Sequence, residues 1–362
     1  MGAYFPEIKK NFGFGMMRLP MADEKVDIPQ TCAMVDAFLA AGFNYFDTAH
    51  PYIRGMSETA IRECLTSRYP RDRYVLANKL SGSCFEKEED ILPLFQSQLE
   101  ACGVEYFDFY LFHAVGESRD AHNTKSNAYE VVRQLKEQGL VRHVGFSFHD
   151  SADFLDRFLT AHPEMEFVQI QFNYADYEDP RVESRKCYEV CRKHGKPVVI
   201  MEPVKGGSLV NLPQEALELL DGSPASYAIR YAAGFEGVAM VLSGMSDMAQ
   251  MEDNLSFMTE FVPLNEQEQK IVEQVRTLYQ ARHRIPCTAC SYCTDGCPAA
   301  IPIPDVFALM NQKLAGEGQP ETDYEALSAR ADSCIECGQC EAECPQHLHI
   351  RQLLKEVDKA FA

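Results

Sequence analysis

Short apolar runs alternate along this chain with longer segments in which apolar residues recur at helical spacing. Eight runs predict strands, at residues 11–20, 43–47, 74–79, 107–113, 141–147, 167–172, 197–201 and 238–242. They follow one another roughly every 30 residues, the spacing of βα units in a parallel sheet. Eight such units close a (β/α)8 barrel, which is therefore the predicted α/β fold. An open doubly wound sheet is the alternative, and it is disfavoured because no GxGxxG motif follows the first strand.

Helical spacing is found between these runs, and capping residues mark several of its ends. The segments are 29–41, one beginning at Ser57, 86–102, 124–138, 152–161, 180–194, 214–233 with a break at Gly222, and 248–258. Asp27 is placed to cap the first segment, and three glycines stand where helices should end: Gly42, Gly103 and Gly139. The helix and strand patterns therefore support the same alternating fold.

The composition of the chain changes after residue 264. A charged helical segment at 265–284 predicts a linker, and beyond it prolines and cysteines cluster while strand signals vanish. We therefore predict three regions: a barrel domain at 1–264, a helical linker at 265–284 and a smaller domain at 285–362.

Charge and hydropathy exclude several classes of partner. The formal net charge of −20 argues against nonspecific binding to nucleic acid or to an anionic bilayer. No apolar run approaches the roughly 18 residues that a membrane span requires. The first ten residues have no apolar core of a signal peptide, so we expect a cytoplasmic protein with no membrane insertion.

Three of the predicted strands end in a polar residue. They end at Asp47, Lys79 and His113, and Tyr52 follows the first of these ends by five positions. The strand ends of a parallel barrel converge on one mouth, where the chemistry of such enzymes lies. Each residue alone is weak evidence: the Asp is more often a helix cap, the Lys a solvated residue and the His a core residue. The combination is more specific because the four side chains would lie together.

Together the four side chains suit the reduction of a carbonyl by hydride, which needs a proton donor for the forming alkoxide. A tyrosine, with an ordinary pKa of about 10, is too weak an acid unless a nearby cation favours its anion. Lys79 would be that cation, and Asp47 would hold it by a charge-assisted hydrogen bond. His113 would hydrogen-bond the carbonyl oxygen and orient the substrate.

At these residues the sequence resembles the aldo-keto reductase superfamily. The strand-end Lys79 and His113 match its Asp/Tyr/Lys/His tetrad, together with the motif Phe46-Asp47-Thr48-Ala49-x-x-Tyr52 and Gly55-x-Ser57-Glu58. The resemblance covers about residues 11 to 260. It implies a (β/α)8 barrel, a nicotinamide cofactor lying across the mouth, a small carbonyl or alcohol substrate, and Tyr52 as general acid.

The resemblance also implies a set of cofactor-binding residues. They are Gly15, Met16, Ser147, Gln169, Met201, Pro203, Gly206, Ser243, Gly244, Gln250, Asp253 and Asn254. Gln169 and Ser147 fit the positions that hold the nicotinamide carboxamide, whereas Phe148 stands where the family has an Asn. Met201 replaces the usual aromatic under the nicotinamide, and it fits simple core packing equally well.

Two further departures leave the cofactor open. The basic residue often found at the position of Gln250 is missing, so selectivity for a 2′-phosphate is not implied. NADH, NADPH or a flavin at the barrel's phosphate site all remain possible. The segment Lys205-Gly206-Gly207 fits a plain turn as well as it fits a pyrophosphate contact.

Eight of the fourteen cysteines lie in two arrays near the C-terminus. The arrays are Cys287-x2-Cys290-x2-Cys293-x3-Cys297-Pro298 and Cys334-x2-Cys337-x2-Cys340-x3-Cys344-Pro345. This is the bacterial ferredoxin run, in which the fourth cysteine binds the other cluster, whereas zinc sites more often use two separated Cys-x2-Cys pairs. We predict two [4Fe-4S] clusters, one bound by Cys287, Cys290, Cys293 and Cys344, the other by Cys334, Cys337, Cys340 and Cys297. The remaining six cysteines fit ordinary buried or idle thiols.

The insert between the arrays carries a helical run at 304–314, and it resembles the all-helical ferredoxin domains of multi-subunit reductases. Three functions follow. In the first, the barrel interconverts a carbonyl and an alcohol, and the clusters exchange electrons with a redox protein. In the second, the chain is an electron-transfer protein whose barrel only binds a nucleotide. In the third, it is an NAD(P)H reductase with structural or oxygen-sensing clusters.

Overall fold

A closed barrel of eight parallel strands forms most of the chain. The computed structural model describes residues 4–281 and 284–362. The barrel strands are β1 (Phe12–Gly15), β4 (Tyr45–Asp47), β5 (Val75–Ser81), β6 (Phe107–Val115), β7 (Val141–Phe148), β8 (Phe167–Gln171), β9 (Val198–Met201) and β10 (Val238–Gly244). β10 pairs with β1, so the sheet closes and the open-sheet alternative is excluded. A separate antiparallel ribbon, β2 (Met21–Ala22) and β3 (Lys25–Val26), was not predicted.

Helices follow the barrel strands and continue into the second domain. They are α1 (Ile28–Ala40), α2 (Met56–Ile61), α3 (Glu88–Cys102), α4 (Glu117–Lys125), α5 (Ala128–Glu137), α6 (Ala152–Ala161), α7 (Ser184–Lys193), α8 (Gln214–Leu217), α9 (Pro224–Ala233), α10 (Met248–Met258), α11 (Glu266–Ala281), α12 (Ile303–Ala315), α13 (Pro320–Glu325), α14 (Gln339–Ala342) and α15 (Ile350–Phe361). The (β/α)8 barrel and the mainly helical second domain are thus as predicted. No helix in the described part of the chain is long and apolar enough to cross a membrane.

Local capping explains where several helices begin and end. The side chain of Asp27 accepts a hydrogen bond from the backbone of Gln30 at the start of α1. Gly103 ends α3 with a φ of 67°, a left-handed conformation that glycine adopts without strain. The single helix predicted at 124–138 is wrong: the chain forms α4 and α5, separated at Asn127 with a φ of 55°.

The barrel interior is filled at its N-terminal end. Ten apolar side chains occupy it: Phe5, Tyr45, Val75, Ala77, Phe109, Leu111, Phe167, Val199, Met240 and Leu242. The ring of Phe5 meets Phe109 edge to face at 4.9 Å and packs on His143 at 4.8 Å. The interior is therefore a packed core, and space for a ligand is left at the C-terminal mouth.

The segment predicted as a linker is largely helix α11, which packs on the barrel. Val272 and Val275 are buried against Leu209 and Tyr227, and Arg230 pairs with Glu268 at 2.8 Å. Residues 282 and 283 of the predicted linker, like residues 1–3 of the predicted barrel domain, lie outside the described residues.

The second domain has a small apolar core of its own. Its members come from α12, α15 and the segments around the cysteines: Ile285, Ile301, Ile303, Val306, Phe307, Leu309, Leu348, Ile350, Leu354 and Val357. Tyr324 stacks on Phe361 at 4.2 Å and closes the far side. A core of this size in a domain below about 80 residues usually needs an added metal or disulfide for stability.

We expect Gly145→Ala to destabilise the barrel by about 1–3 kcal/mol, the typical range for overpacking. A Cβ at this position would lie 2.5 Å from the carbonyl oxygen of Phe167, inside the sheet. Gly82→Ala is the control, because its Cβ would meet only the side chains of Arg119 and His122, the nearest at 3.3 Å. Urea midpoints of the two variants measure the difference, and equal midpoints would contradict the prediction.

Candidate active site

A buried ion pair lies at the base of the barrel mouth. Nζ of Lys79, on β5, donates to Oδ1 of Asp47 at 2.6 Å and to the carbonyl oxygen of Thr48 at 2.8 Å. Lys79 is fully buried and Asp47 nearly so. Burial lowers the pKa of Lys79 and raises that of Asp47, and their mutual attraction opposes both shifts. The two strand ends therefore meet as the barrel topology predicts.

Tyr52 and His113 lie directly beside this pair. Nζ of Lys79 is 4.6 Å from the centroid of the Tyr52 ring, and the rings of Tyr52 and His113 meet edge to face with centroids 5.9 Å apart. Asp47, Tyr52 and His113 border a cavity, and Lys79 lies beneath it. The structure thus brings together all four residues that were singled out in the sequence.

The chain makes a left-handed turn after Tyr52 to reach α2. Ile53, Arg54 and Gly55 have φ values of 50°, 54° and 84°. Ser57, the first serine of α2, donates to the carbonyl oxygen of Met16 at 2.9 Å and lies 2.7 Å from the hydroxyl of Thr48. These bonds fix the loop that carries Tyr52 and explain why the motif contains Thr48 and Ser57.

Tyr52 keeps its proton at neutral pH. Burial raises the pKa of Tyr52 well above its ordinary value, the Asp47 carboxylate raises it further, and a hydrogen bond with Tyr292 lowers it. Lys79 was expected from the sequence to lower this pKa, but its ammonium is engaged by Asp47 and the net shift at Tyr52 is upward. Tyr52 is therefore protonated at physiological pH.

His113 is a neutral imidazole. Burial lowers the pKa of His113 well below its ordinary value, and the charges of Lys79 and Arg119 add to that shift. Oγ of Ser81 lies 2.6 Å from Nδ1 of His113. A serine that donates to Nδ1 leaves the ring proton on Nε2, which can then donate to an oxygen in the cavity.

The cavity has a volume of about 600 Å³ and extends from Tyr52 to the start of α10. Eleven of the twelve predicted cofactor residues line it: Gly15, Ser147, Gln169, Met201, Pro203, Gly206, Ser243, Gly244, Gln250, Asp253 and Asn254. Met16 does not, since a helical turn at Met16–Arg18 directs its side chain into the apolar layer between the strands and the surrounding helices. Met17 and Arg18 line the cavity in its place.

The polar atoms near β8 fit a nicotinamide. Oε1 of Gln169 is buried and has no hydrogen-bond partner among the described residues, while its Nε2 lies 3.5 Å from Sδ of Met201. An unpaired buried acceptor is costly, and the amide hydrogens of a carboxamide would satisfy it. Oγ of Ser147 accepts from the backbone of Ala114 at 2.7 Å and retains its own hydrogen for donation.

The far end of the cavity is acidic. Nε2 of Gln250 donates to Asp247 at 2.9 Å and its Oε1 accepts from the backbone of Ser246 at 2.9 Å, so this side chain is fully engaged. Asp253 accepts from Ser223 at 2.5 Å. The carboxylates of Asp247 and Asp253 therefore both line this end of the cavity.

The eight clustered cysteines line two small cavities in the second domain. One is lined by Cys287, Cys290, Cys293 and Cys344, and the other by Cys297, Cys334, Cys337 and Cys340. Each set contains three thiols of one array and the fourth of the other, as in the sets derived from the spacing. Within residues 4–281 and 284–362, no three Cys, His, Asp or Glu side chains are close enough to share one metal ion. Thiols at the separate corners of a cubane lie farther apart than thiols on a single zinc, so both sets fit a [4Fe-4S] cluster better.

The cysteine segments dock on the barrel mouth. Nη2 of Arg18 donates to the carbonyl oxygen of Thr288 at 2.7 Å, and the amides of Gln171 and Gln346 pair through two buried hydrogen bonds of 2.7 and 3.0 Å. Gly206 lies against the backbone of Thr288, where any Cβ would collide with the carbonyl oxygen. This domain therefore covers part of the reaction cavity.

Sequence reasoning missed several residues of this cavity, among them Arg18, Glu202, Tyr292 and Gln346. Tyr292 lies between two predicted cluster ligands, and Gln346 follows Cys344-Pro345. An aromatic residue inside a cysteine array was the one available signal. The contacts themselves join residues more than a hundred positions apart, which no local pattern reveals.

Two features define the class of this protein. The (β/α)8 barrel carries these groups at its mouth, and the second domain carries eight thiols in two sets. Together they define an oxidoreductase barrel joined to an iron-sulfur domain. Residues 11–277 match the Aldo/keto reductase family, and residues 286–349 match the 4Fe-4S dicluster domain. The chain belongs to the aldo/keto reductase family.

Relatives are similar over the barrel. An uncharacterized oxidoreductase of Schizosaccharomyces pombe is 24% identical over 68% of this chain and 81% of its own length. An aldo-keto reductase of Bacillus halodurans in its holo form is 23% identical, with a TM-score of 0.61 over 74% of this chain and 92% of that one. An aldo-keto reductase of Klebsiella pneumoniae in complex with NADPH is 17% identical, also with a TM-score of 0.61, over 74% and 95%.

We expect iron removal to unfold the second domain and leave the barrel folded. Six of the eight thiols belong to the small apolar core, so losing the ions that would join them removes the link between its segments. Limited proteolysis before and after anaerobic chelation should release fragments that end beyond α11. Reconstitution with iron and sulfide should restore protection, and a chelated domain that resists the protease would contradict the prediction.

Proposed function

We propose that this protein interconverts a carbonyl and an alcohol on a small-molecule substrate, with Tyr52 as the proton donor for reduction. The observation that carries the proposal is the buried pair of Lys79 with Asp47 directly beside Tyr52. A buried ion pair adds little net stability compared with apolar residues of the same size. Its position under a ligand-sized cavity therefore supports a chemical role.

The four side chains have separate tasks in this reaction. Tyr52 and His113 hold the substrate oxygen between a phenol and an imidazole N–H, which fixes the carbonyl for attack. A bound nicotinamide supplies the hydride. Tyr52 gives its proton to the substrate oxygen, and Lys79 and Asp47 hold Tyr52 in place from beneath. Asp47, Tyr52 and Lys79 are buried and His113 is partly buried, which limits the access of water to the transfer.

The cofactor is proposed to be a nicotinamide dinucleotide held by the residues that line the cavity. Gln169 and Ser147 would bind the carboxamide, Met201 would lie under the ring, and Gly15, Pro203 and Gly206 would face its linker. Ser243, Gly244, Gln250, Asp253 and Asn254 would hold the adenosine end. The NADPH complex of the Klebsiella pneumoniae relative supports this class of cofactor over a flavin. The carboxylates of Asp247 and Asp253 favour NADH in this chain.

The clusters are proposed to exchange electrons between this site and a redox protein. Cys290 and Gln346 border both the reaction cavity and the cavity of the first cysteine set. Ile303 borders both cysteine sets, and Cys337 of the second set is exposed. The reaction cavity, the first cysteine set, the second cysteine set and the protein surface thus follow one another in space. This order supports electron relay by the clusters over a purely structural role.

Oxygen-sensitive clusters and free thiols support a cytoplasmic location.

Tyr52→Phe should lower kcat by about 10²- to 10⁴-fold, the usual contribution of a general acid. The variant keeps the ring over Lys79 and removes only the hydroxyl. The measurement is steady-state turnover with the clusters verified by visible absorption.

Tyr45→Phe is the matched control, because this buried tyrosine on β4 has a hydroxyl with no hydrogen-bond partner among the described residues. Its removal should leave kcat unchanged. Retained activity in Tyr52→Phe would refute the assignment of the four residues.

NADH should bind at least as tightly as NADPH, and it should bleach the clusters. The 2′-phosphate would approach two carboxylates, and like charges at short range repel. An anaerobic titration of iron-replete protein with each nucleotide measures both effects. Tighter binding of NADPH would contradict the cofactor assignment, and unbleached clusters would favour an NAD(P)H reductase with structural clusters.

A further inference from the structure

The first cysteine array places a second phenol in the reaction site. Tyr292 stands between Cys290 and Cys293, and its side chain lines the cavity beside Tyr52. Its ring meets His113 edge to face, with centroids 6.4 Å apart. The reaction cavity is therefore shared by the barrel and the cluster-binding domain.

A side-chain hydrogen bond joins the two phenols. The bond lowers the pKa of Tyr52 and raises that of Tyr292, beneath the larger rise that burial causes in both. Either hydroxyl can donate, and donation from Tyr292 to the oxygen of Tyr52 is the arrangement that serves the reaction. The hydrogen of Tyr52 is then free to point at a substrate.

Two of the three hydrogens of the Lys79 ammonium are committed to other acceptors. Its Nζ donates to Asp47 and to the carbonyl oxygen of Thr48, and it lies over the ring of Tyr52. When Tyr52 gives up its proton, negative charge develops on its oxygen. A donor already aimed at that oxygen stabilises the charge without reorganisation.

We propose that Tyr292 is a positioning residue that acts through Tyr52, orienting its hydroxyl and stabilising its phenolate during proton transfer. The cluster-binding domain thus completes the reaction site. This inference rests on the proposed function, since it assigns Tyr292 a role in the same proton transfer.

The segment around Tyr292 is held in an unusual conformation. Ala289 and Ser291 have φ values of 52° and 64°, which side-chain-bearing residues adopt only when their surroundings impose it. Arg18 and Gly206 hold this segment from the barrel side through Thr288. Cysteines on both sides of Tyr292 would hold it from the cluster side. The placement of the phenol therefore depends on both domains.

Tyr292→Phe tests the proposal in the full-length protein with its clusters. A hydrogen bond to a charged group is worth enough to change a rate about 10- to 100-fold. We expect kcat to fall by that factor while KM changes less than about twofold. Rates are divided by the fraction of molecules that hold both clusters, so incomplete loading does not affect the comparison.

The pH profile of alcohol oxidation gives a second readout. In that direction Tyr52 must accept a proton as its phenolate, and loss of the donor raises its pKa, so the profile should move to higher pH. The charged or titratable groups that face Tyr52 are Asp47, Lys79, His113, Glu202, Arg18 and Tyr292. All but Tyr292 are unchanged in the variant.

Tyr324→Phe is the control within the same domain. Its hydroxyl accepts from the backbone of Ala331 at 3.0 Å, away from Tyr52, so kcat and the pH profile should stay those of the native protein. A Tyr292→Phe protein with native kcat and native pH profile would overturn the inference, as would an equal loss in both variants. If Tyr52→Phe is inactive and Tyr292→Phe is fully active, the proposed function stands and only the inference about Tyr292 fails. If Tyr52→Phe is active, the proposed function itself fails.

Discussion

The contact of Lys79 with Asp47 is the interaction on which the rest of the site depends. An ammonium with no exposed surface needs a partner, and removing one member of such a pair costs about 3–5 kcal/mol because the other charge stays buried. The pair joins the ends of β4 and β5 and fixes the floor under Tyr52. The two opposite charges of the pair sum to zero, so the pair adds no net charge to the cavity. The apolar barrel interior, centred on Phe5 and Phe109, packs within the same barrel, so the pair depends on its mutual hydrogen bond for stability.

The second domain changes what this barrel mouth can do. The segments bearing Cys290 and Cys344 rest on the loops after β1, β8 and β9, through Arg18, the Gln171–Gln346 pair and Gly206. The Gln171–Gln346 pair is buried and belongs to a network with Asp176, which also holds Lys205. Buried polar networks of this kind are specific because each unsatisfied member is costly. The two domains therefore meet in a defined geometry around one cavity.

Much of this arrangement follows from the sequence, and the limits have physical causes. Strand ends converge by topology, so Asp47, Lys79 and His113 could be placed together without coordinates, and the spacing of the cysteines implied two interleaved sets. Met16 could not be excluded, because a helical turn of three residues rotates it away from the mouth. The pKa of Tyr52 depends on how deeply it is buried, which is a tertiary property. Tyr292 enters the site only through the docking of a second domain.

The protonation states of Tyr52 and His113 explain why the site needs few charged groups to carry out the proposed proton transfer. With Tyr52 protonated and His113 neutral, the reacting groups enter the reaction uncharged, and the pair of Lys79 with Asp47 sums to zero. Charge therefore develops only at the substrate oxygen and at the oxygen of Tyr52. Fixed donors are most effective in such a setting, because a water-poor cavity strengthens each hydrogen bond to a forming anion. Nε2 of His113 can serve the first oxygen, and the hydroxyl of Tyr292 can serve the second.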